Sequence, residues 1–175
     1  QVRSFIKNPV ETFQSYKKID EPAFMQLASG RFIMLMRTRM CGTMVYSFSE
    51  DAVNWSDPQP FDICGCLPQL LTLDCGVTVA TYGRPILRVR ATSDPTGENW
   101  QDPITIELTG DTSKDDGIQG RTRSCFYTGI IQLDANTALM VHSDFKYPNK
   151  NGVGVRTIMA RRIHIVPKTA AAAAE

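Results

Sequence analysis

A short box is written twice in this chain, and the recurrence limits the fold more than any other feature. Ser93-Asp94-Pro95-Thr96-Gly97-Glu98-Asn99-Trp100 returns in shortened form as Ser49-Glu50-Asp51-Ala52-Val53-Asn54-Trp55. The flanks repeat as well: EPAFMQLASGRFIMLMRTR precedes the first box and LPQLLTLDCGVTVATYGRP the second, which sets Leu27 against Leu73 and Gly30 against Gly76. A unit of about 45 residues is the size of one four-stranded propeller blade, and such a unit buries its apolar face only against a neighbour of the same kind.

The rest of the chain fits an all-β reading. AFMQL, RFIMLM, TMVYSF, QLLTL, VTVATY, ILRVRAT, ITIEL, GIIQL, ALMVHS and RTIMARRIHIV are short apolar or alternating runs, separated by Ser-Gly, Cys-Gly, Asp-Pro and Asp-Ala-Asn punctuation. A third unit begins at CFYTGIIQLDANTALMVHSDF, with Leu133 in the place of Leu27 and Leu73, and lacks a box. The expected blades span about 20–62, 66–108 and 124–167. Residues 1–19 then form an outer strand or linker, in which NPVETFQSYKKI reads as a strand of a preceding blade, and 169–175 form a low-complexity tail. The polar stretch LTGDTSKDDGIQGRTRS before the third unit is a candidate lid. Three blades cannot close a ring of the usual four to eight, so the expectation is half of a six-bladed propeller, completed by missing sequence or by a second copy.

Composition excludes some partners. Lys and Arg number 19 against 18 Asp and Glu, so no basic field favours nucleic acid. No apolar run is long enough to span a bilayer. Five cysteines, Cys41, Cys64, Cys66, Cys75 and Cys125, are an odd count at irregular spacing and imply no disulfide framework. Cys64-Gly65-Cys66 has no second pair and no nearby histidine, so buried thiols are expected, with no metal and no cofactor. His142 and His164 stand alone in strands and read as structural.

The boxes resemble the Asp-box of sialidases and related glycoside hydrolases, Ser-x-Asp-x-Gly-x-Thr-Trp, a turn between the third and fourth strands of a blade. Ala52 stands where that pattern has Gly, and Pro95 stands where the second box should have Asp. In sialidases the second half of the ring also carries a glutamate opening a first strand, an arginine sixteen residues on, a second arginine and a tyrosine opening a later first strand. Matching residues here are Glu21, Arg37, Arg90 before the second box, and Tyr127 in YTGIIQL, with Arg84 and Arg88 as rivals for the second arginine. Glu21 and Tyr127 each lie six residues before the repeat leucine, at Leu27 and Leu133, so the sequence expects them in equivalent places facing one mouth; Leu67 holds that place in the middle unit.

The resemblance implies a division of labour. A glycoside bearing an anomeric carboxylate repels an anionic nucleophile, which suits a neutral tyrosine, Tyr127, whose proton passes to Glu21. Arg37 and Arg90 would bind the substrate carboxylate by bidentate, charge-assisted bonds. The third arginine and the catalytic aspartate of the pattern belong to blades preceding Glu21. The expected function is therefore part of an exo-glycosidase, inactive alone, with a carbohydrate, sialic-acid-like or otherwise acidic, as partner. The alternative is a non-catalytic propeller module for glycan binding or self-assembly.

Overall fold

The computed structural model describes residues 19–38, 43–84, 86–108 and 126–166. They form eleven antiparallel strands and no helix: β1 Ile19–Gln26, β2 Phe32–Thr38, β3 Met44–Ser49, β4 Gln59–Asp62, β5 Cys66–Thr72, β6 Thr78–Gly83, β7 Ile86–Thr92, β8 Ile104–Leu108, β9 Thr128–Asp134, β10 Thr137–Pro148 and β11 Gly154–His164. Each sheet is a simple meander. The first has the order β1-β2-β3-β4 and the second β5-β6-β7-β8; the third has three strands among the described residues, β9-β10-β11, where four were expected. The N-terminal strand, the lid candidate, the C-terminal tail, Cys41 and Cys125 lie outside the described residues.

The sheets stack in chain order, with β1 against β5 and β5 against β9. Between the first two lie Leu27, Ile33, Leu35, Phe48, Phe61, Ala80 and Tyr82, with Trp100 half-buried against them. Between the second and third lie Leu73, Val79, Leu87, Val89, Phe126, Ala138 and Met140. The middle sheet is therefore apolar on both faces, and every residue of β6 is buried.

The sequence repeat has a backbone cause. Gly30 and Gly76 hold φ of +90° and +84° and each donates its N–H to the carbonyl of the repeat leucine, Leu27 or Leu73. Only a residue without Cβ adopts that turn at little cost, which fixes the glycine beside a buried leucine. The third sheet departs from this pattern. Its first hairpin closes on Ala135-Asn136, the ladder slips between Thr137 and Ala138, and Leu133 is turned outward at 47% exposure. Leu133 keeps the register of Leu27 and Leu73, but no described sheet packs on that face and it is not buried.

Both boxes are turns closed by one carboxylate. Asp51 accepts from the N–H groups of Val53 and Asn54 and from the Asn54 amide, and its own N–H is received by Ser49 Oγ. Asp94 does the same work, accepting from Thr96 N–H, Asn99 N–H and the Asn99 amide, while Thr92 Oγ1 receives the Asp94 N–H. The second box thus opens at Thr92, and Asp94, not the position of Pro95, is the counterpart of Asp51. Ala52 is left-handed at φ +60°, a conformation that costs a residue with Cβ about 1–2 kcal/mol. Trp55 and Trp100 are half-buried, and Trp100 Nε1 donates to the Gly97 carbonyl at 2.7 Å.

Candidate functional site

Glu21, Leu67 and Phe126 share an uncommon backbone state. Their φ values are +53°, +43° and +46°, and each lies at or just before the opening of the first strand of its sheet. In β1 and β5 the residue sits in a ladder slip, between Asp20 and Ala23 and between Cys66 and Gln69. Left-handed residues other than glycine cluster where surrounding structure forces them, commonly at functional sites. By strand register Tyr127 keeps the place of Glu21 and Leu67, two residues before Gly129 as they are before Ala23 and Gln69, while the left-handed residue of the third sheet comes one place earlier, at Phe126.

Antiparallel order places these openings at one end of the stack, with the ends of β2 and β6 beside them and both Asp-centred turns at the other end. Arg37, at the end of β2, is buried; its Nε lies 3.3 Å from Glu21 Oε2 and its Nη2 3.2 Å from Asp20 Oδ2. Glu21 Oε2 also accepts the Leu67 N–H at 2.8 Å. One carboxylate therefore ties the first sheet to the opening of the second.

A second pair sits at the same end. Arg84, immediately after β6, is buried and left-handed at φ +48°. Its Nη2 donates to the Tyr127 hydroxyl oxygen at 3.0 Å, and its guanidinium carbon stands 5.5 Å from the Tyr127 ring centre. Tyr127 as a whole is 42% exposed, and Arg84 holds its hydroxyl on one side. Because Arg84 occupies an acceptor position of that oxygen, the hydroxyl proton points elsewhere and is available to a base. Close packing fixes the pair: a Cβ on Gly83 would lie 2.6 Å from Phe126 Cβ, 2.7 Å from its carbonyl carbon and in collision with its carbonyl oxygen. Beneath Phe126, at 5.8 Å and edge to face, is His142. Burial lowers its basicity, and its Nε2 accepts from Arg161 Nε while Nδ1 faces the Ser143 carbonyl, the pattern of a neutral ring.

Arg90 and Arg88 are placed differently. Arg90 Nε donates to the Gln101 carbonyl at 2.8 Å, Nη1 to the Phe61 carbonyl and Nη2 to the Trp100 carbonyl at 3.4 Å, with the guanidinium over the Phe61 ring. Each of its three nitrogens donates to main chain, joining β4 to the second box. Arg88 Nη1 donates to Asp62 Oδ1, and the Tyr82 hydroxyl donates to Asp62 Oδ2, inside the contact between the first two sheets. Burial, reinforced by the Asp62 hydrogen bond, drives the Tyr82 hydroxyl far above the usual phenol range, so it stays a proton donor.

Among the described residues no group of three or more His, Cys, Asp or Glu is arranged to hold a metal, Cys64 and Cys66 are buried, and no helix is long and apolar enough to cross a membrane. An open cleft lined by Leu133, Asp134, Thr137, Arg162 and His164 lies on the third sheet at its opposite end. The structure thus brings Glu21 to Arg37 and Tyr127 to Arg84 at one mouth. Among the described residues Glu21 and Tyr127 make no hydrogen bond to each other. Arg84 was legible as a rival only; the missed signal is that Arg37 and Arg84 both end a second strand, one repeat apart.

No family model and no curated protein matches the chain. Solved structures do. A protein of unknown function from Dyadobacter fermentans DSM 18053 matches 85% of this chain with a TM-score of 0.63 and 17% identity, and the polysaccharide lyase Uly1 matches 84% with a TM-score of 0.51 and 13% identity. The Hadza microbial sialidase Hz136 matches more loosely, at a TM-score of 0.46 and 14% identity over 85% of this chain and 33% of its own length. The chain spans 39% of the length of each of the first two, and at such identities the likeness establishes the fold alone.

Proposed function

We propose that this mouth is one side of an acidic-sugar site of the sialidase kind, with Tyr127 as nucleophile, Glu21 as its base, and Arg37 and Arg84 holding the substrate carboxylate. The hydrogen bond from Arg84 to the hydroxyl of the half-exposed Tyr127 carries the reading. It sets a buried guanidinium beside a reactive oxygen, as a substrate carrying an anionic group next to its reacting carbon requires. Arg84 replaces Arg90 in this proposal, because the Arg90 donors already go to main-chain carbonyls. A fold shared with a polysaccharide lyase agrees with a carbohydrate ligand at the level of class.

In the reaction, Tyr127 Oη forms a bond to the anomeric carbon as the bond to the leaving oxygen breaks, and the phenolic proton passes to Glu21. The Arg37 and Leu67 contacts both engage Glu21 Oε2, which leaves Oε1 for that proton. A substrate carboxylate drawing on Arg37 weakens its pairing with Glu21 and makes the carboxylate a better base. The acid for the leaving oxygen is, by the same resemblance, an aspartate of other blades. This chain alone therefore binds sugar without turning it over. The Glu21–Arg37 pair also favours a second reading, a binding module whose carboxylate locks two sheets together and has no chemical step.

Calorimetric titration of the chain with sialic acid tests the site. Losing one charge-assisted contact costs about 1.5–3 kcal/mol, so Arg84→Ala and Arg37→Ala should each weaken binding about 10- to 100-fold. A fluorogenic sialoside should show no turnover. Arg84→Ala binding as tightly as the parent chain would sink the proposal.

A further inference from the structure

The third sheet outgrows its neighbour at the mouth. β9 pairs with β10 as far as Thr128 opposite His142, and beyond that point residues 143–148 and 154–158 pair, among the described residues, with each other alone. At about 3.3 Å per residue, residues 154–158 carry this two-stranded ribbon about 16 Å past the opening of β9. The second sheet turns back at the level where the ribbon begins: in register Gly83 matches Ser143, and there β6 ends, with β7 starting at Ile86. The ribbon therefore rises beyond the last residues of the second sheet, at the end that holds Arg84 and Tyr127.

A register slip decides which way the ribbon faces. Asp144 opposes Thr157 and Tyr147 opposes Val155, so two residues of β10 stand against the one residue Arg156. Without the extra residue, alternation would set Tyr147 on the outer face with Ser143; with it, Tyr147 shares a face with Val155 and, along β11, with Thr157, Met159 and Ile163. Ile163 packs between the second and third sheets, so this face looks across the end of the second sheet. Tyr147 is 41% and Val155 38% exposed. A lone two-stranded ribbon is marginal in water, but this one is closed at its tip: Asn149 Oδ1 accepts the N–H groups of Asn151 and Val153, the Val153 carbonyl accepts the Asn149 N–H, and the Arg156 guanidinium lies 5.6 Å from the Phe145 ring centre.

We infer that Tyr147 and Val155 form a subsite for the neutral sugar linked to the acidic one at the mouth. The inference rests on the sugar reading of the mouth and deepens it to a substrate class, an oligosaccharide ending in the acidic sugar. Displacement by Tyr127 Oη puts the leaving oxygen on the far side of the anomeric carbon, so the leaving sugar stands outward from the mouth, at the height of the ribbon. A pyranose ring buries its C–H face on a phenol ring while its hydroxyls stay in water, and a tyrosine offers that surface at low cost in side-chain entropy.

Calorimetric titration of the chain with sialic acid and with sialyllactose, whose second ring is a neutral hexose, reads the subsite. Sialyllactose should bind about three- to tenfold more tightly, the gain from one ring on an aromatic face. Tyr147→Ala should erase that gain and leave sialic acid binding unchanged, Tyr147→Phe should keep the gain, and Arg84→Ala should weaken both ligands alike. Saturation-transfer NMR with lactose alone separates this inference from the reading of the mouth: transfer to lactose C–H protons should disappear in Tyr147→Ala and persist in Arg84→Ala. Tyr147-dependent transfer in a chain that does not bind sialic acid would refute the mouth and uphold the ribbon. Equal affinity for sialic acid and sialyllactose in a chain that binds both, a gain that survives Tyr147→Ala or vanishes in Tyr147→Phe, or no transfer to lactose would each overturn the subsite.

Discussion

Gly83→Ala probes the joint on which the Arg84–Tyr127 pair rests. The added methyl carbon would lie 2.6 Å from Phe126 Cβ and 2.7 Å from its carbonyl carbon, where van der Waals contact needs about 3.5–4 Å. Rotamer changes cannot relieve a clash with main chain, so β6 and the opening of β9 must separate by close to 1 Å. Overpacking of this kind costs about 1–3 kcal/mol, and a backbone obstacle puts the value in the upper half. For a chain of this size each kcal/mol lowers the melting temperature by about 2–4 °C, giving a fall of about 4–12 °C by calorimetry. The displacement acts on residues 84 and 127 directly, so sugar binding should weaken further than the stability loss alone accounts for. Gly76→Ala separates the two effects: its Cβ meets nothing within 4 Å, and its φ of +84° costs about 1–2 kcal/mol at the far end of the stack, with binding unchanged. A Gly83→Ala chain that melts within about 2 °C of the parent would refute this account of how the pair is held.

Two further outcomes follow from buried and turn carboxylates. Hydrogen bonds from the Thr96 hydroxyl and N–H hold the Asp94 carboxyl down at about 2 against an ordinary 3.8, so its contribution to stability is complete above pH 4 and disappears as pH falls through about 2. Asp94→Asn should therefore flatten the acid limb of a stability-versus-pH curve between pH 4 and pH 2, and an unchanged limb would show that the turn does not depend on the charge. Tyr82→Phe removes a buried donor to Asp62 and leaves Arg88 as its remaining side-chain partner in the cluster. Urea unfolding should record a loss of about 1–3 kcal/mol, and no loss would mean that Asp62 is satisfied without it.

The meander of strands, the hairpin glycines and the two boxes were legible because each is local: a leucine followed by a left-handed glycine, or a carboxylate within reach of nearby N–H groups, leaves its mark within a few residues. Register survived even where the punctuation changed. The Asp134–Thr137 turn has no glycine and its ladder slips, yet Ile131 opposes Leu139 as Leu71 opposes Val79, so counting back from Leu133 reaches the place of Glu21 at Tyr127; the left-handed backbone, which comes one place earlier at Phe126, leaves no mark in residue type. The second box was misjudged. Asp94 closes a turn longer than the pattern, so alignment by spacing put Pro95 where the function of the carboxylate puts Asp94. Arg90 was beyond sequence reasoning, since main-chain carbonyls that capture a guanidinium have no signature in residue type. Arg37 and Glu21 were found together and meet across the β1–β2 ladder, but the hydrogen bond from the Leu67 N–H depends on how two sheets meet.

Arg31 leads to a point about how the chain folds. Standing in the first hairpin, it lies over the Phe48 ring at 3.8 Å, pairs with Glu50 at 3.3 Å and reaches Glu98 at 2.6 Å, while the nearby Ser29 N–H is received by the Pro95 carbonyl. Contacts within each meander are local, and the inter-sheet cores together with contacts such as this one raise the contact order. The Arg31–Glu98 contact crosses 67 residues and joins the turn of one sheet to the turn of the next. Two units that the sequence writes as repeats are in this way bound into one folding unit, whose slowest amide exchange should be shared by both.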